Sequence, residues 1–455
     1  MVLPGLLPVT IPFPPAPNHL HYLSCSIERS RSPLALELRA GNGVESSSAG
    51  FRWDARLLSV TRFGTLGPSR EIKGEGRRTR SFAAAEPVAM WEGVDEKLAK
   101  MVSVANLDYA SERRRIREVF KDVQLRIDHP LFRSIEINSK GFGIFSKSWL
   151  PSNSPIKALV CFCHGYGDTC TFFFEGIANK LAASGYGVFA LDYPGSGLSD
   201  GLHGYIPTFD SLVDDVVEHF SIVKDSSSQI CNPEITSSLA IKMLSKSLNV
   251  ENYFHLIRTE KSEFKNLPSF LFGQSMGGAV ALKVHFKQPR AWDGAVLVAP
   301  MCKMGENVVP PWPFLQFLVC VSKLFPKMKL VPSTDIAEMG FKELKKREQA
   351  TYNVIAYKDK PRLKTGLELL KTTQELERHL EEVSLPLLIL HGEADVLTDC
   401  LVSKALFEKA SSSDKEILIY KDAYHALLEG EPDETIFQVL DDIVSWLDRH
   451  CVKAM

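Results

Sequence analysis

Residues Ser269–Gly278 read SFLFGQSMGG. An apolar run stops abruptly in Gly273-Gln274-Ser275-Met276-Gly277, a Gly-x-Ser-x-Gly pattern. At ordinary glycine and serine frequencies this pattern arises by chance in roughly one chain in six of this length. Whether Ser275 is a nucleophile on a sharp turn or a small residue between glycines is therefore decided by its surroundings.

Those surroundings repeat one theme. Apolar runs rich in Val, Ile, Leu and Phe occur at 158–165 (ALVCFCHG), 186–193 (YGVFALDY), 268–275 (PSFLFGQS), 294–300 (GAVLVAP), 386–393 (PLLILHGE) and 416–422 (EILIYKD). Helix-like segments separate them. Continuous apolar runs suit strands covered on both faces. Their alternation with helices predicts a mostly parallel α/β sheet with helices on both sides. Ligands of such sheets bind beyond the carboxyl ends of the strands. The residues standing there are His164-Gly165-Tyr166-Gly167-Asp168, then Ser275, then Asp395, then His425. Ser, Asp, His is the chain order of the α/β-hydrolase triad.

The chemistry needs these residue types. A serine hydroxyl is a weak nucleophile until a base takes its proton, and histidine has the suitable proton affinity. The base needs a carboxylate to fix its tautomer and stabilise the imidazolium. Asp395, directly after HGEA, is preferred to Asp399 and Asp422. Glycines flank Ser275 because the strand-to-helix elbow is crowded. Two backbone N–H groups must meet the oxyanion. Met276, following the nucleophile, supplies one, and the loop after the first run supplies the other, at Tyr166. His164 reads as a structural partner of that loop rather than a base.

Composition excludes several classes. Hydrophobic residues make up 45% and charged residues 24%, as in ordinary globular proteins. A formal net charge of −2 gives no cause to expect nucleic acid as partner. The nine cysteines are scattered and read as reduced intracellular thiols. Cys161-Phe162-Cys163-His164 suggests a metal site only superficially. Two cysteines two apart on a strand share one face, and no second pair stands at zinc-finger spacing. The apolar stretch Val308–Ser322 is too short to span a bilayer and contains Pro310, Pro311 and Pro313.

Residues 1–89 differ from the rest, with Pro4, Pro8, Pro12, Pro14, Pro15 and Pro17 followed by Ser- and Arg-rich segments. They read either as an organelle transit segment or as an untargeted disordered tail, placing the protein in the chloroplast or in the cytoplasm. The core begins near residue 90 with helical composition. A hairpin follows, turning near Ser139-Lys140-Gly141. The core runs as 90–300 and 385–455. Within it, 225–266 forms a long insertion between a helix at about Phe209–Lys224 and the strand before Ser275; this is expected to be disordered and to lie away from the site. Residues 301–384 interrupt the sheet pattern. Lys342–Arg347 reads as a solvated basic helix face.

HGYGD, LDYPGSGLSDG, GQSMGGAVAL, HGEADVLTD and DAYHALLEGEPDE together resemble plant monoacylglycerol lipase-like proteins. These belong to the serine-hydrolase group that includes lysophospholipases and caffeoylshikimate esterase. The resemblance extends from about Val94 to Asp448. It implies hydrolysis of carboxylic esters, with Ser275, Asp395 and His425 as triad, Tyr166 and Met276 at the oxyanion positions, and neither metal nor organic cofactor. It also implies that 301–384 is a helical cap. VVPPWPFLQFLVCVSKLF at its start predicts a lid that lines an acyl tunnel or touches a lipid surface. The expected substrate is a small-molecule acyl ester, a monoacylglycerol or lysophospholipid. The alternatives are a phenolic ester such as caffeoyl shikimate, acyl transfer to a lysolipid, and a non-catalytic binding role.

Overall fold

The computed structural model describes residues 96–119, 133–152, 154–224, 264, 266–303, 309, 311–331 and 336–451. The readings placed on 1–89 lie outside the described residues, as does the 225–266 insertion apart from Phe264 and Asn266.

Helices α1 (Glu96–Ser103) and α2 (Ala110–Val119) precede the hairpin β1 (Arg133–Ile137) and β2 (Gly143–Trp149). Gly141 takes φ 82° in the hairpin turn, a conformation open to glycine at little cost. Then follow β3 (Ala158–Cys163), α3 (Phe173–Ala183), β4 (Tyr186–Leu191) and α4 (Phe209–Lys224). Next come β5 (Ser269–Gln274), α5 (Met276–Lys287) and β6 (Gly294–Val298). Helices α6 (Trp312–Leu324), α7 (Ile336–Gly340), α8 (Leu344–Ala350) and α9 (Leu363–Arg378) occupy the segment where the sheet pattern lapses. Last among the described residues come β7 (Leu387–Gly392), α10 (Cys400–Lys409), β8 (Lys415–Tyr420) and α11 (Asp433–Cys451).

The strands form an eight-stranded sheet in the order β1-β2-β4-β3-β5-β6-β7-β8. β2 pairs antiparallel with both β1 and β4, while β3 to β8 run parallel to one another. The six apolar runs are the six parallel strands. Side-chain alternation explains why they read as unbroken. On β3, Val160 and Phe162 join a core with α3 and α11, while Cys161 and Cys163 face a second core with α4 and α5. Burial pushes the Cys161 thiol up to about 12, so it remains protonated at neutral pH.

Buried Arg113 of α2 binds the turn after β4. Its Nε donates to the Gly197 carbonyl at 2.5 Å and its Nη2 to that of Ser199 at 2.6 Å. Arg362, also buried, joins three further segments through the His203 carbonyl (2.9 Å), the Lys327 carbonyl (2.7 Å) and the Asp108 carboxylate (2.6 Å). The basic run is only partly solvated. Lys342 donates to the Asp422 carbonyl, and Lys346 to the Glu431 carbonyl and the Asp433 carboxylate. Among the described residues, no helix is long and apolar enough to cross a membrane.

Candidate active site

Ser275 sits between β5 and α5 with φ 54° and ψ −121°, a strained conformation for a residue with a side chain. Three hydrogen bonds hold it there. Its N–H donates to the Val298 carbonyl at 3.0 Å, and its carbonyl accepts from Gly278 and Met301, each at 2.9 Å. The glycines around Ser275 are steric requirements. A Cβ on Gly273 would lie 2.4 Å from the Gly277 carbonyl oxygen, and one on Gly278 would lie 2.6 Å from Cβ of Pro300.

The structure brings the three distant candidates together. His425 Nε2 lies 2.9 Å from Ser275 Oγ, and His425 Nδ1 lies 2.6 Å from Asp395 Oδ2. Asp395 ends the turn after β7, and His425 lies in the loop after β8. Burial opposes the charge of Asp395. His425 and His391 outweigh it and hold the carboxyl well below the usual carboxylate range. The backbone N–H groups of Leu397 (2.8 Å) and Thr398 (3.1 Å) bind its Oδ1. The two competing aspartates are placed elsewhere. Asp399 caps α10 through the Leu401 N–H at 2.9 Å, and exposed Asp422 occupies a turn at φ 55°.

Met276 opens α5, so its N–H lies at a helix N-terminus, where backbone donors are unsatisfied and favour negative charge. Tyr166 lies on the loop after β3. A Cβ on neighbouring Gly165 would lie 3.4 Å from Cβ of Ser275, so this loop faces the nucleophile. Among the described residues, neither the Tyr166 nor the Met276 N–H donates to a protein group. Tyr357 fixes the loop from the segment between α8 and α9, its N–H donating to the Gly167 carbonyl at 2.7 Å. The Tyr166 hydroxyl donates to the Gly204 carbonyl at 3.1 Å. His164 is fully buried, stacked on Tyr193 at 3.9 Å, and accepts from the Tyr193 N–H at 3.4 Å.

Sequence reasoning missed a second polar layer. Gln274, beside the nucleophile, donates through Nε2 to Glu429 Oε1 at 3.0 Å. Burial, together with the charge of Asp168, pushes the Glu429 carboxyl up to about 8 despite that bond. Burial likewise pushes Asp168 up to about 7, with Asp192 adding to the shift and the Thr169 N–H opposing it. Thr398 donates to Asp395 Oδ2 at 2.7 Å. Both acids, Asp168 and Glu429, stand in the motifs HGYGD and HALLEGE, but only folding shows that each is largely withdrawn from solvent. Among the described residues, no group of His, Cys, Asp or Glu side chains is arranged to hold a metal ion.

A parallel sheet with an elbow serine, hydrogen-bonded in line to histidine and aspartate at its carboxyl edge, defines an α/β-hydrolase. The chain belongs to the family described as serine aminopeptidase, S33, which matches residues 154–233 and 243–433. The unmatched residues 234–242 fall within the insertion. Over 311 residues the chain is 32% identical to caffeoylshikimate esterase of Arabidopsis thaliana, covering 68% of this chain and 83% of that protein. Over 322 residues it is 28% identical to monoglyceride lipase of Mus musculus, covering 70% and 91%. Among solved structures, it is similar to a soluble variant of Saccharomyces cerevisiae monoglyceride lipase, with TM-score 0.54 and 19% identity over 70% of this chain and 94% of that one. Monoacylglycerol lipase of Paleococcus ferrophilus gives a TM-score of 0.51 at 20% identity, over 68% and 99%. The two structural likenesses bear on the fold.

Proposed function

We propose that the protein hydrolyses carboxylic esters of small acyl compounds, monoacylglycerols or lysophospholipids first among them, through an acyl-enzyme on Ser275. The observation that carries this reading is the unbroken line from Ser275 Oγ to His425 (2.9 Å) and from His425 to Asp395 (2.6 Å). Ser275 Oγ attacks the ester carbonyl while His425 Nε2 takes its proton. The N–H groups of Met276 and Tyr166 receive the oxyanion. His425 then gives the proton to the departing alkoxide, leaving Ser275 acylated. Water deprotonated by His425 repeats the cycle and releases the acid. Asp395 holds the imidazole in the tautomer that leaves Nε2 free to accept.

Residues 301–384 serve as the cap in this reading. Trp312, Phe317 and Leu324 of α6 are 61%, 58% and 76% exposed, which suits contact with a lipid surface. The relatives named monoglyceride lipase support the same substrate class. The 32% identity to a caffeoylshikimate esterase supports a second reading, hydrolysis of phenolic esters. The test is acid release by the purified full-length protein from monoacylglycerol, lysophosphatidylcholine and caffeoyl shikimate, beside Ser275→Ala. Turnover of either lipid alone supports the first reading, and turnover of caffeoyl shikimate alone supports the second. Equal inactivity of both proteins on all three rejects both.

A further inference from the structure

Oδ2 of Asp395 receives three side-chain donors. They are His425 Nδ1 at 2.6 Å, Thr398 Oγ1 at 2.7 Å and His391 Nε2 at 3.1 Å. Oδ1 takes the two backbone N–H groups already described. A carboxylate offers about four lone-pair sites, so five donors leave none unused. The hydrolytic cycle requires only the first. His391 lies on β7, and neither its side chain nor that of Asp395 has any exposure. Its Nδ1 lies 2.7 Å from Oγ of Ser403, a fully buried residue of α10.

This geometry fixes where the proton of His391 lies. A bare Nε2 would set its lone pair against a carboxylate oxygen at 3.1 Å, a repulsive contact. Nε2 therefore carries hydrogen and donates to Asp395. Ser403 can donate to Nδ1 of the neutral ring or accept from the charged one, so both forms keep the Nε2–H.

We propose that His391 is a positioning residue acting through Asp395: its Nε2–H competes with His425 for one carboxylate oxygen and so sets how firmly Asp395 holds the His425 imidazolium. The proposal rests on the reading of Ser275 as nucleophile. One oxygen shared among three donors binds each less strongly than it would bind one alone. Without the His391 donor, more of that charge falls on His425, which then keeps its proton to higher pH and returns more slowly to the base form. Other charged and titratable groups surround the pair. Glu393, Asp399 with Lys303, Cys400 and Lys404 lie on the β7 and α10 side. Glu429, bonded to Gln274, and Asp168, whose charge acts on Glu429, lie on the β5 side. All are common to the proteins compared below, so a difference between those proteins belongs to position 391.

The test is the rate at which a fluorophosphonate probe labels full-length protein between roughly pH 5 and pH 9, a range spanning histidine titration. The wild-type protein is compared with His391→Leu, which removes the donor, and His391→Gln, which keeps an N–H within reach. The acid limb of the His391→Leu profile should move up by about one pH unit, the equivalent of losing one hydrogen bond to a charged group. The limb of His391→Gln should move by less than half of that. Coincidence of the His391→Leu limb with wild type, or equal shifts in both variants, would overturn the proposal. If His391→Leu lacks a cooperative thermal transition, His391→Asn replaces it, since its shorter amide does not reach Oδ2. Absence of labelling in the wild-type protein would reject the nucleophile reading and this inference with it. Labelled wild type with unmoved variants rejects the inference alone.

Discussion

A Cβ placed on Gly277 would lie 1.8 Å from the carbonyl oxygen of Cys163. The nucleophile turn is thus packed directly against the end of β3, and the last glycine of the motif is set by contact between two backbones. Neither side can yield, because the Cys163 end of β3 lies within the sheet beside Gly273. Gly277→Ala should cost about 3 kcal/mol or more, the upper range for overpacking a core. Comparison of thermal or denaturant unfolding with wild type checks this, and an unchanged midpoint would contradict it.

Asp395→Asn should lower kcat by about 10⁴ while leaving KM within a few-fold, because the amide can present N–H to His425 and favour the wrong tautomer. Steady-state kinetics on a water-soluble ester such as p-nitrophenyl butyrate would measure it. Retention of a tenth of the wild-type rate would argue that another carboxylate orients His425.

Glu429 gives a pH dependence of known sign. Burial and the neighbouring Asp168 carboxylate hold its folded carboxyl near 8, above the ordinary value of about 4.3 for the unfolded chain. The folded state therefore binds the extra proton between those values. Its contribution to stability is full below the unfolded value and is lost as pH rises through the folded one. Stability of the wild-type protein should fall from roughly pH 5 to pH 9, and Glu429→Gln, which still accepts from Gln274, should flatten that slope. Parallel slopes in denaturant titrations of the two proteins would refute the assignment.

Replacing exposed Trp312 and Phe317 by serine removes apolar area from α6 without opening the core. Sedimentation with phosphatidylcholine vesicles should drop several-fold, while hydrolysis of p-nitrophenyl butyrate in solution stays within about twofold of wild type. Equal loss of both would show that α6 shapes the acyl site rather than a lipid contact.

Five of the parallel strands, β3 to β7, were legible because they are buried on both faces and so read as unbroken apolar runs; β8, at the sheet edge, is only partly buried and was marked by its short run EILIY. Ser275, Asp395 and His425 were legible because each follows such a run. What escaped the sequence depends on contacts between distant segments. Nothing local marks Arg113 as bound to the Gly197 carbonyl, or Arg362 as joining the Asp108, His203 and Lys327 regions. Charge runs give no sign of burial either, which is why Lys346 reads as solvated although it bridges to the loop after His425. His391 opens the HGEADVLTD stretch, yet its bond to Asp395 depends on how the turn after β7 folds back.

The most direct test is acid-quench mass spectrometry of full-length protein mixed with p-nitrophenyl butyrate. A butyryl adduct should accumulate, map by peptide fragmentation to Ser275, and be missing from Ser275→Ala. Ester turnover with the adduct on another residue, or undiminished turnover by Ser275→Ala, would contradict the assignment of Ser275 as the nucleophile.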